Sequence, residues 1–311
     1  MKTRRNKKGF LDISFSWIFA FLVGAMILVG AIYVVNKFTS VKDSQNSAEL
    51  GVALKNLLTP LETGVEGTKS IEITLPVDSK ITHFCDSTDR FGKETFSVKE
   101  KRNNKWTNSG VPISFNNKYV FLPSTTEGKT FSVFSKTFDF PFNVANLIYF
   151  TNSKEKYCFV GFPLEVKSEL KNLNQNNLEF NTCSNFSKKI CFDTPSNTNC
   201  EIKIDSSQKS VEKDGEKVYY EGNALMYAAI FSDKNIYECE TKRLMKRADE
   251  LAKIYQEKTI SLVSKGCTST LDLSSFKSEV SNFQDSANLS LIEWEGQSLD
   301  ELNRYSDCKL W

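Results

Sequence analysis

Histidine is nearly missing from this chain: among 311 residues, His83 is the only one. Zinc sites built on paired histidines are therefore out of reach, and no CxxC motif supplies the cysteine alternative. The sequence also lacks GxSxG, GxGxxG, a P-loop and HExxH. Those absences exclude the familiar nucleophile-elbow hydrolases, dinucleotide enzymes, nucleotide-triphosphate enzymes and metalloproteases. Proline (7) and glycine (14) are scarce, which excludes collagen-like and Pro/Gly-rich disordered chains. A large excess of charge of either sign is missing too, since 40 basic face 38 acidic residues. Without residues 1–12, which hold five cations and Asp12, the balance becomes 35 against 37, so there is no electrostatic footprint for nucleic acid.

The lone histidine stands in Thr-His-Phe-Cys, two residues before Cys85. A Cys/His nucleophile pair needs a free thiolate, and an oxidised Cys85 would not provide one. His83 is therefore read as structural. The acid pairs Glu238/Glu240, Glu293/Glu295 and Asp300/Glu301 read as solvated carboxylates, because general acid–base work needs a cleft as well as carboxylates. Lys242, Arg243, Lys246 and Arg247 share one helix face and read as a solvated patch balanced by Glu240, Asp249 and Glu250. The expectation is a non-enzyme with no cofactor and no metal.

Cysteine, by contrast, is plentiful. Cys85, Cys158, Cys183, Cys191, Cys200, Cys239, Cys267 and Cys308 form an even set, which implies disulfides made in an oxidising compartment. Cys191 and Cys200 bracket a turn-rich stretch and are expected to pair. Cys239 and Cys308 are expected to meet where a helical hairpin returns to its origin.

Long uncharged apolar sequence occurs once, from Ile13 to Val35. At 23 residues it predicts a transmembrane helix, since about 20 residues cross a hydrocarbon core. Lys2, Arg4, Arg5, Lys7 and Lys8 precede it and predict a cytoplasmic amino terminus with the rest outside. Ala20 and Gly24 offer a small-xxx-small contact for another helix. Apolar residues continue at three- and four-residue intervals through Val41, Ala48, Val52 and Leu57, so residues 36–60 read as a helical stalk that Pro60 ends.

Lys7-Lys8-Gly9-Phe10, a short basic leader and glycine running straight into an apolar helix, resembles the class III signal of type IV pilins and archaeal pilin-like proteins. The resemblance covers roughly the first 60 residues. It implies cleavage between Gly9 and Phe10 and a long helix seated under a β-rich head. Many pilins carry Glu at the fifth mature position, where this chain has Ser14. An uncut signal anchor is the alternative.

Residues 70–222 read as short strands rich in Phe, Val, Ile and Tyr, divided by Asn, Ser, Gly and Lys clusters. Phe131, Phe134, Phe138, Phe140 and Phe142 read as core between sheets. Residues 223–311 read as helical: an apolar segment from Asn223, a long helix capped by Ser232 or Asp233 and ended by Gly266, and a second stripe from Leu273 to Leu291. Ser298-x-x-Glu301 reads as a capping box for a last short helix. Asn185 and Asn288 begin N-x-S sequons, candidate glycosylation sites.

The expected fold class is thus α+β. A long amino-terminal transmembrane helix would extend into a β-rich antiparallel sheet or sandwich outside the cytoplasm, followed by an antiparallel helical hairpin. The expected function is a membrane-anchored structural or adhesive envelope protein. The alternatives are an accessory subunit of a secretion or transport complex and a hydrolase without a recognisable motif. Expected partners are the lipid bilayer and a second copy or envelope protein, bound through the membrane helix or the carboxy-terminal helices, with no nucleic acid.

Overall fold

The computed structural model describes residues 17, 19–34, 58–59, 70–107, 111–194, 199–267 and 271–311. Alternation of large apolar residues builds the first sheet from β1 (Ile71–Asp86), β2 (Lys93–Arg102), β3 (Lys105–Trp106), β4 (Ile113–Phe115), β5 (Tyr119–Phe121), β6 (Thr125–Asp139) and β7 (Asn143–Asn152). The strands lie in the order β3-β2-β1-β6-β7-β5, with β4 also paired to β2. In β2 the buried positions are Glu94, Phe96, Val98 and Glu100, so two carboxylates occupy the inward side of the period-2 pattern.

The second sheet comprises β8 (Tyr157–Val160), β9 (Leu178–Phe180), β10 (Lys188–Phe192), β11 (Ile202–Asp205), β12 (Ser210–Lys213) and β13 (Glu216–Tyr219), in the order β13-β12-β11-β10-β8-β9. The antiparallel expectation needs correction. β8 pairs parallel with both β9 and β10, β10 with β11, and β5 with β7. Parallel neighbours need a crossover, and helix α1 (Leu164–Asn172) supplies the one between β8 and β9. Gly161, at φ +72°, turns the chain out of β8 and into it.

A face-to-face sandwich does not form, because a helix lies between the sheets. In α2 (Gly222–Phe231) every residue from Ala224 to Phe231 is buried. A helix that is apolar on all sides must be covered on all sides. It rests on β5, β6 and β7 of the first sheet and on β12 of the second. Tyr149, from the first sheet, donates its hydroxyl to the Ala224 carbonyl at 2.8 Å.

Helix α3 (Lys234–Val263) begins after two residues and contacts β1, β5, β7 and β13. Asp233 is its N-cap, but the carboxylate accepts from the Ser124 amide and ties the helix start to the sheet instead. The expected second long helix is broken into α4 (Ser274–Ser281), a 3₁₀ turn (Ser286–Asn288) and α5 (Leu289–Tyr305). Helix α4 ends at its C-cap Asn282, and Asp285 and Asn288 form the capping box that starts the 3₁₀ turn. Ser298 and Glu301 lie inside α5 and cap nothing.

The transmembrane expectation for residues 13–35 is overturned: among the described residues no helix is long and apolar enough to cross a membrane. Residues 19–34, including Ala20 and Gly24, are helical and exposed. Gly9 and Phe10 lie outside the described residues, as does the stalk apart from Leu58 and Thr59. Leu58 is buried in a core cluster with Ile73, Phe96, Phe131, Val133 and Phe150.

Candidate functional site

Four disulfides staple the chain: Cys85–Cys239, Cys158–Cys183, Cys191–Cys200 and Cys267–Cys308. They mark a protein that folds in an oxidising environment. Cys191 meets Cys200 as the turn between them implies, whereas Cys239 pairs with Cys85 and not with Cys308. The break after α4 explains the difference. Ser286 already sits beside the start of α3, where Glu238 accepts from its amide and hydroxyl. Helix α5 then carries the chain back toward the far end of α3, where Lys258 donates to the Leu310 carbonyl.

Cys85–Cys239 clamps β1 to α3, and the chemistry of the core gathers beside it. His83 lies two residues before Cys85, and Glu240 follows Cys239. Glu94 is the cross-strand partner of Cys85. The His83 Nε2 atom stands 3.4 Å from Glu94 Oε2 and 3.9 Å from Glu240 Oε1, and all three side chains are wholly buried. Phe96 stacks on the imidazole with centroids 4.6 Å apart and planes 5° from parallel, which holds the ring edge-on to the carboxylates.

Arg243 forms the other wall. Its Nη1 donates to Glu240 Oε2 at 2.6 Å and to the Lys118 carbonyl at 3.1 Å. Nη2 donates to the carbonyls of Asn116 and Phe115, and Nε to that of Phe91. All five guanidinium protons are thus used, and the group lies over the Tyr119 ring at 4.9 Å. Gly92 makes the approach possible. A Cβ there would meet Asp86 O at 2.5 Å and Arg243 Cγ at 2.8 Å, and its φ of +57° disfavours any side chain.

Burial dominates the electrostatics. It pushes the Glu94 and Glu240 carboxyls up to about 8 and the His83 imidazole down to about 4, against partial relief from neighbouring opposite charges. Glu94 Oε2 accepts from the Val120 amide at 3.2 Å, and Glu240 Oε2 from Arg243. Glu94 Oε1, Glu240 Oε1 and both His83 ring nitrogens have no hydrogen-bond partner. The three side chains each bring one ligand atom within 4.8 Å of the others, a group able to hold a cation.

His83 is structural in the sense that its ring is packed, but its neighbours were not visible as a site. Glu240 and Arg243, expected on a solvated surface, are buried, and Lys246 and Arg247 of the same patch are engaged as well. Lys246 donates to the carbonyls of Ser87, Thr88 and Asp89, and Arg247 to that of Val144. These side chains dock α3 onto the sheet. The missed signal was a gap in the apolar stripe: between Ile236 and Leu244, at four-residue steps, stands Glu240. Glu94 likewise shares the parity of Phe96 and Val98.

Of the sequons, Asn185 is exposed in a turn. Asn288 is occupied, its side-chain oxygen accepting from the amides of Gln284 and Asp285. Phe131, Phe134, Phe138, Phe140 and Phe142 are all buried, as core residues should be. Glu293 and Asp300 line an open cleft along α5 with Pro141 and Arg304, while Glu238 secures the 3₁₀ turn. Comparison of the chain with protein-family models, with curated proteins and with solved structures yields no match in any of the three.

Proposed function

We propose that this chain is a non-enzymatic structural or adhesive protein of an oxidising, extracytoplasmic setting, and that it works by pairing with a second copy of itself through α5. The observation that carries the reading is an exposed apolar stripe on that helix. Leu291 (49% exposed), Trp294 (66%), Leu302 (44%) and Tyr305 (79%) fall on one helical face, with Ser298 at its centre. Relative to Ser298 they stand at −7, −4, +4 and +7. A stripe symmetric about its midpoint is self-complementary for an antiparallel two-fold contact. Leu291 would face the second copy's Tyr305, and Trp294 its Leu302, with the small Ser298 at the crossing.

Such a subunit is also what the pilin-like amino terminus implies, since proteins of that family work by assembly. The rim acids Glu295 and Glu301 would lie near their own copies, so salt that screens them should strengthen the pair. Sedimentation of the full oxidised chain tests the reading. A concentration-dependent dimer is expected, lost in Trp294→Glu and trapped as a disulfide-linked pair by Ser298→Cys. A monomer at every concentration, or a dimer indifferent to Trp294→Glu, would refute it. Recovery with an unrelated protein in place of a second copy would favour the accessory-subunit alternative.

A further inference from the structure

We propose that His83, Glu94 and Glu240 form a buried three-ligand binding site for one divalent transition-metal cation of the zinc type. The first support is the donor set. One imidazole nitrogen and two carboxylate oxygens are ordinary ligands for such a cation, at bond lengths of about 2.0–2.2 Å. Bonds of that length place neighbouring ligand atoms of a tetrahedron roughly 3.3–3.6 Å apart. His83 Nε2 already lies 3.4 Å from Glu94 Oε2 and 3.9 Å from Glu240 Oε1. All three ligand atoms lie within 4.8 Å of one another, so side-chain contraction by up to about an ångström and a half would bring them to that spacing.

The second support is independent of the first. Buried polar atoms are almost always hydrogen-bonded, and an unpaired one carries its full desolvation cost. Here four such atoms are orphaned in one place: Glu94 Oε1, Glu240 Oε1, and Nδ1 and Nε2 of His83. Each carboxylate has its other oxygen pinned, Glu94 by the Val120 amide and Glu240 by Arg243. Both are therefore oriented while leaving one oxygen free. Arg243 pairs directly with Glu240, while Glu94 lies in the field of both Arg243 and Lys118. A cation held by Glu94 Oε2, Glu240 Oε1 and His83 Nε2 would answer two of these deficits, Glu240 Oε1 and Nε2.

The third support is placement. The ligands come from β1, β2 and α3, and the Cys85–Cys239 bridge fixes β1 to α3 within two residues of His83 and one of Glu240. Ligands fixed before the metal arrives cost less to organise, and three protein ligands leave the fourth tetrahedral position to a water molecule. The metal would act as a further tie between the first sheet and α3.

Zinc alone is the probe. The full chain, oxidatively refolded with zinc present and then desalted, should retain about one zinc per chain by elemental analysis. Cobalt(II) in place of zinc should give the intense visible bands of a four-coordinate N/O site. Glu240→Gln and Glu94→Gln should each weaken retention by at least about tenfold, as loss of groups around a metal generally does. Glu293→Gln, elsewhere on the surface, should retain the metal. Intact mass with four disulfides confirms that each variant has folded. Less than one-tenth equivalent of zinc on the wild-type chain would overturn the proposal, and so would equal retention by correctly oxidised Glu94→Gln. The cobalt spectrum of the wild type needs no variant: octahedral, weakly absorbing cobalt would overturn it as well.

Discussion

Replacing Arg243 with methionine should be among the most damaging single changes in the head of this protein. The volume is nearly kept, so the effect isolates charge and hydrogen bonding. Arg243 supplies five donated hydrogen bonds, one to a buried carboxylate and four to backbone carbonyls of the first sheet and its loops. Removing one partner of a buried ion pair costs about 3–5 kcal/mol, because the other charge is left uncompensated. Burial already pushes the Glu240 carboxyl up to about 8, and without Arg243 it is held in its neutral form, which softens that cost. The carbonyls of Phe91, Phe115, Asn116 and Lys118 then lose a donor, at roughly 1 kcal/mol for each that water cannot reach. A loss of about 4 kcal/mol or more follows. For a domain of this size that is a fall in Tm of about 8–16 °C. Thermal unfolding followed by circular dichroism, with disulfides intact, measures it. Arg243→Lys should recover only part, since three donors cannot replace a planar fork of five. Adding Glu240→Gln to Arg243→Met should also restore part, by removing the stranded carboxylate. A loss under about 1 kcal/mol, or a double variant no better than the single one, would refute the account of Arg243 as the buried clamp.

Gly92→Ala should cost about 2 kcal/mol or more in urea unfolding, because a positive φ and two sub-van der Waals contacts act together. Cys85→Ser with Cys239→Ser should destabilise more than Cys191→Ser with Cys200→Ser. The closed loops span 154 and 9 residues, worth about 5 against about 3 kcal/mol in the chain-entropy description; equal losses would contradict it. Glu179 is held down to about 2 by Lys156 and by the Ser184 amide and the Ser187 and Ser184 hydroxyls. Its folded value lies below the ordinary one of 4.5, so its contribution is complete above about pH 4.5 and is lost as pH falls toward 2. The stability gap between wild type and Glu179→Gln should therefore close on acidification; a gap unchanged at pH 2.5 would be evidence against it.

Local pattern carried the fold further than it carried the site. Alternation marked the longer strands but not the short β3, β4, β9 and β12, and the apolar segment from Asn223 read as helical, yet nothing local says that two sheets share it. Parallel pairing depends on which strands become neighbours, a long-range matter. The run from Tyr157 to Val166 was legible as apolar but not as strand, turn and helix. The second helical stripe was real in its apolar spacing; its break lay between Asn282, where α4 ends, and the Asp285/Asn288 capping box that starts the 3₁₀ turn. Residues 13–35 read by composition as a membrane span, while among the described residues no helix is long and apolar enough to cross a membrane. For the site, the obstacle was the prior that acids and arginines lie in water. Glu94 and Glu240 occupy inward positions of otherwise apolar patterns, and a charge at such a position signals a buried partner. Arg243 is that partner, three residues along the same helix.

The Cys85–Cys239 bridge has a consequence for how the protein meets proteases. Its closed loop contains both other bridges of the β region, Cys158–Cys183 and Cys191–Cys200, nested inside it. A single cut anywhere between residues 86 and 238 turns the ring into an open chain but releases no fragment. Every strand after β1, together with helices α1 and α2, stays covalently tethered to β1 and α3 until a second cut is made or a reductant arrives. A cut of the same kind between 268 and 307 is held by Cys267–Cys308. Damage of this sort is survivable: the chain would be nicked yet undivided, and its ends would remain close enough for the sheets to persist.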